Sequence, residues 1–207
     1  MKNHSAWCSA ASVAIIAAGF LIAPQASAQE LKGNDLLSAL KSGGYAIYFR
    51  HALSDTSQND ADPINVTDCT TQRNLSDDGR KQAQAIGKAM TALGIPTGAV
   101  LASPYCRAKE TATLAFGKAE ASEALYYSLG LPKDAAAKAS AQLKELLVKQ
   151  PSAGTNTILV GHTSNIKEVA GVWPKTEGAA FVFQPNGSDG FKVIGTFTAD
   201  DLIKAGS

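Results

Sequence analysis

Three short apolar runs, at residues 45–49, 99–102 and 157–160, each end abruptly in small or polar residues, and two amphipathic stretches lie between them. Runs this short and this apolar read as buried strands. In the first stretch Ala83, Ile86, Met90 and Leu93 recur at helical spacing, and in the second Ala139, Leu143, Leu146 and Leu147 do so. Ser76 is placed to cap the first helix and Asp134, after Pro132, the second; Gly94 and Pro96 stop the first, and Pro151 ends the second. Residues 121–126 read as a further strand. Near the end, residues 179–184 and 191–197 flank the turn-rich Pro185-Asn186-Gly187-Ser188-Asp189-Gly190, which predicts a hairpin, and a polar helix closes the chain from Ala199. Alternating strand and helix imply βαβ units. The expected fold is therefore α/β: a single three-layer domain with a mainly parallel central sheet flanked by helices and a C-terminal β-hairpin.

Residues 1–28 stand outside that pattern. Lys2 precedes an apolar run at 10–23 broken only by Ser12, and Ala26-Ser27-Ala28 supplies the small residues a signal peptidase accepts, so cleavage is expected before Gln29. The alternative is a retained anchor, but the run falls short of the roughly 18 to 20 residues that span a bilayer. Cys8 lies ahead of the run and offers no lipoprotein attachment point. The expected mature chain, 29–207, is periplasmic or secreted, without stable membrane insertion, and suits one domain with one core. Basic and acidic residues balance, 19 against 18 in the full chain. No global field therefore recruits nucleic acid or an anionic membrane. Two cysteines remain after cleavage, Cys69 and Cys106, and in an oxidising compartment they can form one disulfide or stay as two buried thiols. A bridge would be worth roughly 3 to 4 kcal/mol in loop-closure terms.

Polar clusters directly follow the three strand-like runs: Arg50-His51-Ala52, Ser103-Pro104-Tyr105-Cys106-Arg107 and Gly161-His162-Thr163. In a parallel sheet these ends share one edge, where ligands of open α/β folds bind, so Arg50, His51, Arg107 and His162 are expected to converge. Two guanidiniums and two imidazoles suit a phosphomonoester dianion. Each Arg can make forked, charge-assisted pairs with phosphate oxygens. One imidazole can attack phosphorus in line if its attacking nitrogen is unprotonated and its other nitrogen is held by a carbonyl. The second imidazole, if protonated, stabilises the equatorial oxygens.

Taken in order, these residues resemble the histidine phosphatase superfamily, also called phosphoglycerate-mutase-like. Arg50-His51-Ala52 resembles its Arg-His-Gly motif. Leu75-Ser76-Asp77-Asp78-Gly79 with Gln82-Ala83 resembles its helix opening, and Ser103 to Arg107 with Glu110-Thr111-Ala112 resembles its Ser-x-x-x-Arg-x-x-x-Thr-Ala segment. Gly161-His162 resembles its second histidine motif. The resemblance implies a transient phosphohistidine on His51, phosphate held by Arg50 and Arg107 with His162 completing the pocket, Asn74 near the phosphate, and no metal or organic cofactor. Gln82, Thr111 and Gly79 are expected to pack, cap and turn. Arg73 either extends the anion site or is a solvated loop charge. The absence of inserted domains resembles the small branch 1, and the Ser-Pro-Tyr-Cys-Arg segment resembles small bacterial envelope members linked to lipopolysaccharide phosphate. That implies a small-molecule or lipid-linked phosphate ester as substrate.

The pattern departs from the family at the proton donor. Where an acid is expected after the third strand, the chain runs Leu125-Tyr126-Tyr127, and Leu53 stands where many relatives carry a glutamate. Asp55, four residues after His51, and Glu123 in a shifted register are the carboxyl alternatives. Two rivals to a phosphomonoesterase follow: a phosphate-binding or regulatory module without turnover, and a zinc protein using Cys69, Cys106, His51 and His162. Nothing in the sequence specifies an oligomeric state.

Overall fold

A computed structural model describes residues 30–207. The expected signal segment, 1–28, lies outside the described residues. Strands β1 (Ala46–Arg50), β2 (Thr97–Ala102), β3 (Glu120–Ala121), β4 (Asn156–Gly161), β5 (Ala180–Pro185) and β6 (Phe191–Phe197) form one sheet in the order β3-β2-β4-β1-β5-β6. The β1–β4, β2–β4 and β2–β3 pairs are parallel, while β5 runs antiparallel to β1 and β6 to β5. The last two strands are the hairpin that the turn-rich segment predicts.

Helices α1 (Gly33–Ser42), α2 (Asp77–Ala92), α3 (Cys106–Phe116), α4 (Lys133–Val148), α5 (Thr163–Ala170) and α6 (Ala199–Ala205) cover both faces. Because side chains alternate along a strand, β1 feeds both cores: Ile47 and Phe49 pack with Leu40, Ile86 and Met90, whereas Ala46 and Tyr48 pack with Leu143, Leu147 and Ile166. The result is the three-layer α/β arrangement. The tail is more than a polar cap, since Ala199 and Leu202 of α6 are buried in the first core.

Two local expectations change. Residues 121–126 do not form a strand beyond Ala121, because the adjacent Ala124 and Leu125 are both buried in the second core and an alternating strand sends neighbours to opposite faces. A single 3-10 turn, Glu123–Leu125, buries both. Asp134 does not cap α4, which starts at Lys133 after Pro132; it lies in the first turn, where a negative charge still complements the helix dipole. Ser76 does cap α2, accepting the Gly79 N–H at 3.0 Å. Among the described residues no helix is long and apolar enough to cross a membrane.

Candidate active site

Parallel pairing of β1, β2 and β4 puts their carboxyl ends on one edge, and the three polar clusters meet there. His51 follows β1 directly, its backbone N–H donating to Gly161 O at 3.0 Å while its carbonyl accepts from Gly178 N–H at 2.9 Å. His162 follows β4 and precedes α5. The two imidazole centroids are 5.4 Å apart, and each histidine is about 2 % exposed.

Each ring is fixed at a strand exit, His51 by that of β1 and His162 by that of β2. His51 Nδ1 lies 2.9 Å from Ala52 O, so Nδ1 carries the proton and Nε2 presents its lone pair. His162 Nε2 lies 2.9 Å from Ser103 Oγ. The main chain of His162 is held from below by Tyr48, whose hydroxyl accepts the His162 N–H at 2.9 Å and sits 2.8 Å from both His162 O and Asn165 Oδ1. The glycine of the Gly161-His162 pair follows from this contact, since a Cβ there would collide with the Tyr48 hydroxyl.

The motif residues expected to be scaffolding hold the backbone after His51. Thr111 Oγ1 accepts the Ala52 N–H at 3.0 Å and donates to Arg107 O at 2.7 Å, while Gln82 Oε1 accepts the Leu53 N–H at 3.1 Å. Gly79 is a packing residue rather than a turn residue, because a Cβ would run into Leu53 O.

Arg107, 1 % exposed, lies with its guanidinium carbon 4.7 Å from the centre of the Tyr105 ring. Nη1 donates to Asp60 Oδ1 at 2.9 Å and to Arg73 O at 3.2 Å, which leaves Nε buried and without a partner among the described residues. Arg50 turns towards the segment after α5: Nη1 donates to Lys175 O at 2.8 Å, and Nη2 pairs with Glu177 Oε1 at 3.2 Å. Burial lowers the Arg50 pKa, opposed by Glu177. Arg73 is not a solvated loop charge, since its Nε is buried and its charge acts on both imidazoles.

Burial holds the His51 pKa well below the ordinary histidine value, with Arg107 as the next cause and Arg50 and Arg73 adding to it. His162 is lowered in the same way, first by burial and then by Arg107. Both rings are therefore neutral at neutral pH.

Other candidates fall elsewhere. Asp55 is taken up locally, accepting from Ser57 N and Oγ and from Gln58 Nε2, and the Ser57 bonds lower its pKa. Glu123 is exposed and lines a surface cavity with Gln142, Glu145 and Lys149. The Asn74 amide donates to Cys69 O and Gln72 O, both at 2.8 Å, and so braces its own loop. Cys69 and Cys106 are joined in a disulfide, which removes both sulfurs from the zinc reading. Sequence reasoning missed Asp60 and Glu177, the carboxylates that hold Arg107 and Arg50. It also missed the Tyr127 ring, 5.3 Å from His162.

A three-layer α/β domain with two neutral imidazoles and buried guanidiniums at the carboxyl ends of its parallel strands has the architecture of a histidine phosphatase. Residues 47–126 match the family model of the histidine phosphatase superfamily (branch 1). Among solved structures it is similar to the protein histidine phosphatase SixA complexed with tungstate, at 16 % identity and TM-score 0.53, with 76 % of this chain and 99 % of that chain covered. A mycobacterial glucosyl-3-phosphoglycerate phosphatase in complex with inorganic phosphate gives 15 %, 0.55, 76 % and 99 %. A phosphoserine phosphatase mutant from Entamoeba histolytica in complex with phosphoserine gives 14 %, 0.51, 76 % and 98 %. At these identities the likeness is one of fold. No curated protein sequence matches the chain significantly.

Proposed function

We propose that the protein is an exported phosphomonoesterase that hydrolyses a phosphate ester through a phosphohistidine on His51. The observation that carries this reading is the state of His51: a buried, neutral imidazole with Nδ1 engaged by Ala52 O and Nε2 left as the lone-pair nitrogen, beside a second imidazole and Arg107. Such a ring is a ready nucleophile at neutral pH.

The remaining groups supply charge and orientation. Arg107 is anchored at Nη1 by Asp60, so its unpartnered Nε edge serves the phosphate. Arg50, held by Glu177, provides a second positive group on the same rim. For His162 to act as a donor, Ser103 Oγ, 2.9 Å from His162 Nε2, donates to that nitrogen. His162 then carries its proton on Nδ1 and donates to a phosphate oxygen, stabilising charge that shifts in the transition state. The substrate class is a small-molecule or lipid-linked phosphate ester. Export rests on residues 1–28 together with the disulfide, which persists in oxidising compartments.

One observation favours a second reading, a phosphate-binding module without turnover: Asp55, Asp60 and Glu177 are all engaged by other residues. A single experiment decides between them. The chain spanning 29–207 is incubated with an aryl phosphate while phosphate release is followed and an acid-labile phosphoenzyme is trapped. Release and labelling, both lost in His51→Ala, are expected. Release that survives His51→Ala rejects the nucleophile, and binding without release favours the module.

A further inference from the structure

The proposed reaction needs a proton for the departing alkoxide, and the carboxylates around the site are poorly placed to give one. Glu177 Oε1 lies 3.9 Å from His51 Nδ1, on the side of the ring away from the attacking nitrogen. Asp60 is ion-paired with Arg107 and also accepts the Arg73 N–H at 2.9 Å. Asp55 is closed on itself by Ser57 and Gln58. An acid that protonates the leaving group of an in-line displacement must stand across the phosphate from the nucleophile.

Two tyrosine rings border His162 and Arg107. Tyr105 and Tyr127 both pack against His162, at 5.0 and 5.3 Å, and Arg107 lies over both rings, at 4.7 and 6.0 Å. They differ in what their hydroxyls can reach. The Tyr105 hydroxyl is packed against Gly130 in the turn Ser128–Gly130. Tyr127 is half-buried, and its hydroxyl makes no hydrogen bond among the described residues. His51 and Tyr127 thus each border His162, the ring that the proposed function sets against the phosphate.

We infer that the Tyr127 hydroxyl is the proton donor to the leaving group, which makes Tyr127 a catalytic residue of the reaction proposed above, on which this assignment rests. As His51 Nε2 bonds to phosphorus and the ester P–O bond breaks, the phenolic proton passes to the departing oxygen and leaves a tyrosinate. Water then attacks the phosphohistidine, the P–N bond breaks, and the proton lost by that water returns to Tyr127. One ester and one water become one alcohol and one phosphate, with both residues restored.

The test uses Tyr127→Phe, which keeps the ring against His162 and Arg107 and removes only the hydroxyl. The kcat/KM is measured on p-nitrophenyl phosphate, whose leaving group needs little protonation, and on an alkyl phosphate, whose leaving group needs much. The alkyl ester is expected to lose about 100-fold and the aryl ester to change by no more than about threefold, with phosphoenzyme trapping from the aryl ester retained. Equal kcat/KM ratios for the two esters in Tyr127→Phe and wild type overturn the assignment while the phosphohistidine stands. The same selective loss in Tyr105→Phe or Asp60→Asn, with none in Tyr127→Phe, moves the role to that residue. A wild-type chain that forms no phosphoenzyme overturns the proposed function and this assignment together.

Discussion

At the scale of single residues, the site is governed by what surrounds two neutral imidazoles. His51 and His162 are buried and face Arg107, Arg50 and Arg73, and both burial and those charges disfavour the protonated rings. The folded state therefore binds fewer protons at these rings than the unfolded chain does between their depressed pKa values and the ordinary value near 6.5. Their contribution to stability is complete above about pH 6.5 and is lost as the pH falls towards the folded-state values. Imidazole 15N chemical shifts read this directly. At about pH 6, where an ordinary histidine is mostly protonated, both rings are expected to show the neutral pattern. A half-protonated signal from His51 near 6.5 would contradict the burial argument and remove the ready nucleophile.

At the scale of elements, the site is held by close approaches between α2, α3 and the strand exits. Gly79, in the first turn of α2, lets that helix rest on the carbonyl of Leu53, two residues after His51. Ser76 ties the same junction, its N–H donating to Leu53 O at 3.1 Å. Gly79→Ala forces its methyl group into that carbonyl, so α2 must lift from the strand exit. A loss of about 1 to 3 kcal/mol in urea unfolding is expected. The exposed Asp78→Ala, one residue earlier, should stay within about 0.5 kcal/mol. An unchanged midpoint for Gly79→Ala would show that α2 does not brace the His51 backbone. The strands and long helices around this junction were legible because their apolar spacing is set by burial, and parallel pairing then brings Arg107, His51 and His162 to one edge. The partners of the arginines were not. Asp60 belongs to a loop with no periodic pattern, and Glu177 meets Arg50 only because the segment after α5 folds back across the end of β1. Asn74 and Asp55 are engaged within their own loops for a related reason: a polar side chain in an irregular loop satisfies its neighbours' backbone as readily as a ligand, and spacing does not distinguish the two.

At the scale of the whole molecule, the long connection between β1 and α2 is the least regular part of the fold, yet it carries Asp60 and Arg73. Its tie to the rest runs through Cys69, in the short 3-10 turn Cys69–Thr71, and Cys106, the first residue of α3. The bridge spans a sequence separation of 37 and joins the connection to the helix that bears Arg107. Gln72, almost fully buried, reinforces the tie by accepting the Cys106 N–H at 2.9 Å. Closing a loop of this length removes unfolded-state entropy worth about 4 kcal/mol. For a domain of this size that corresponds to a Tm difference of roughly 8 to 16 °C. Cys69→Ser with Cys106→Ser is therefore expected to lower Tm by about that much, and a reducing agent should lower the wild-type Tm but leave the double variant unchanged. A second readout separates stability from site geometry: inhibition by inorganic phosphate, measured well below both melting temperatures. If the bridge also holds Asp60 and Arg73 in register with Arg107, the double variant binds phosphate more weakly even while fully folded. Equal affinity in the two proteins would confine the bridge to stability, and leave the Asp60–Arg107 pair and the Gln72–Cys106 bond as the features that hold the loop over the site.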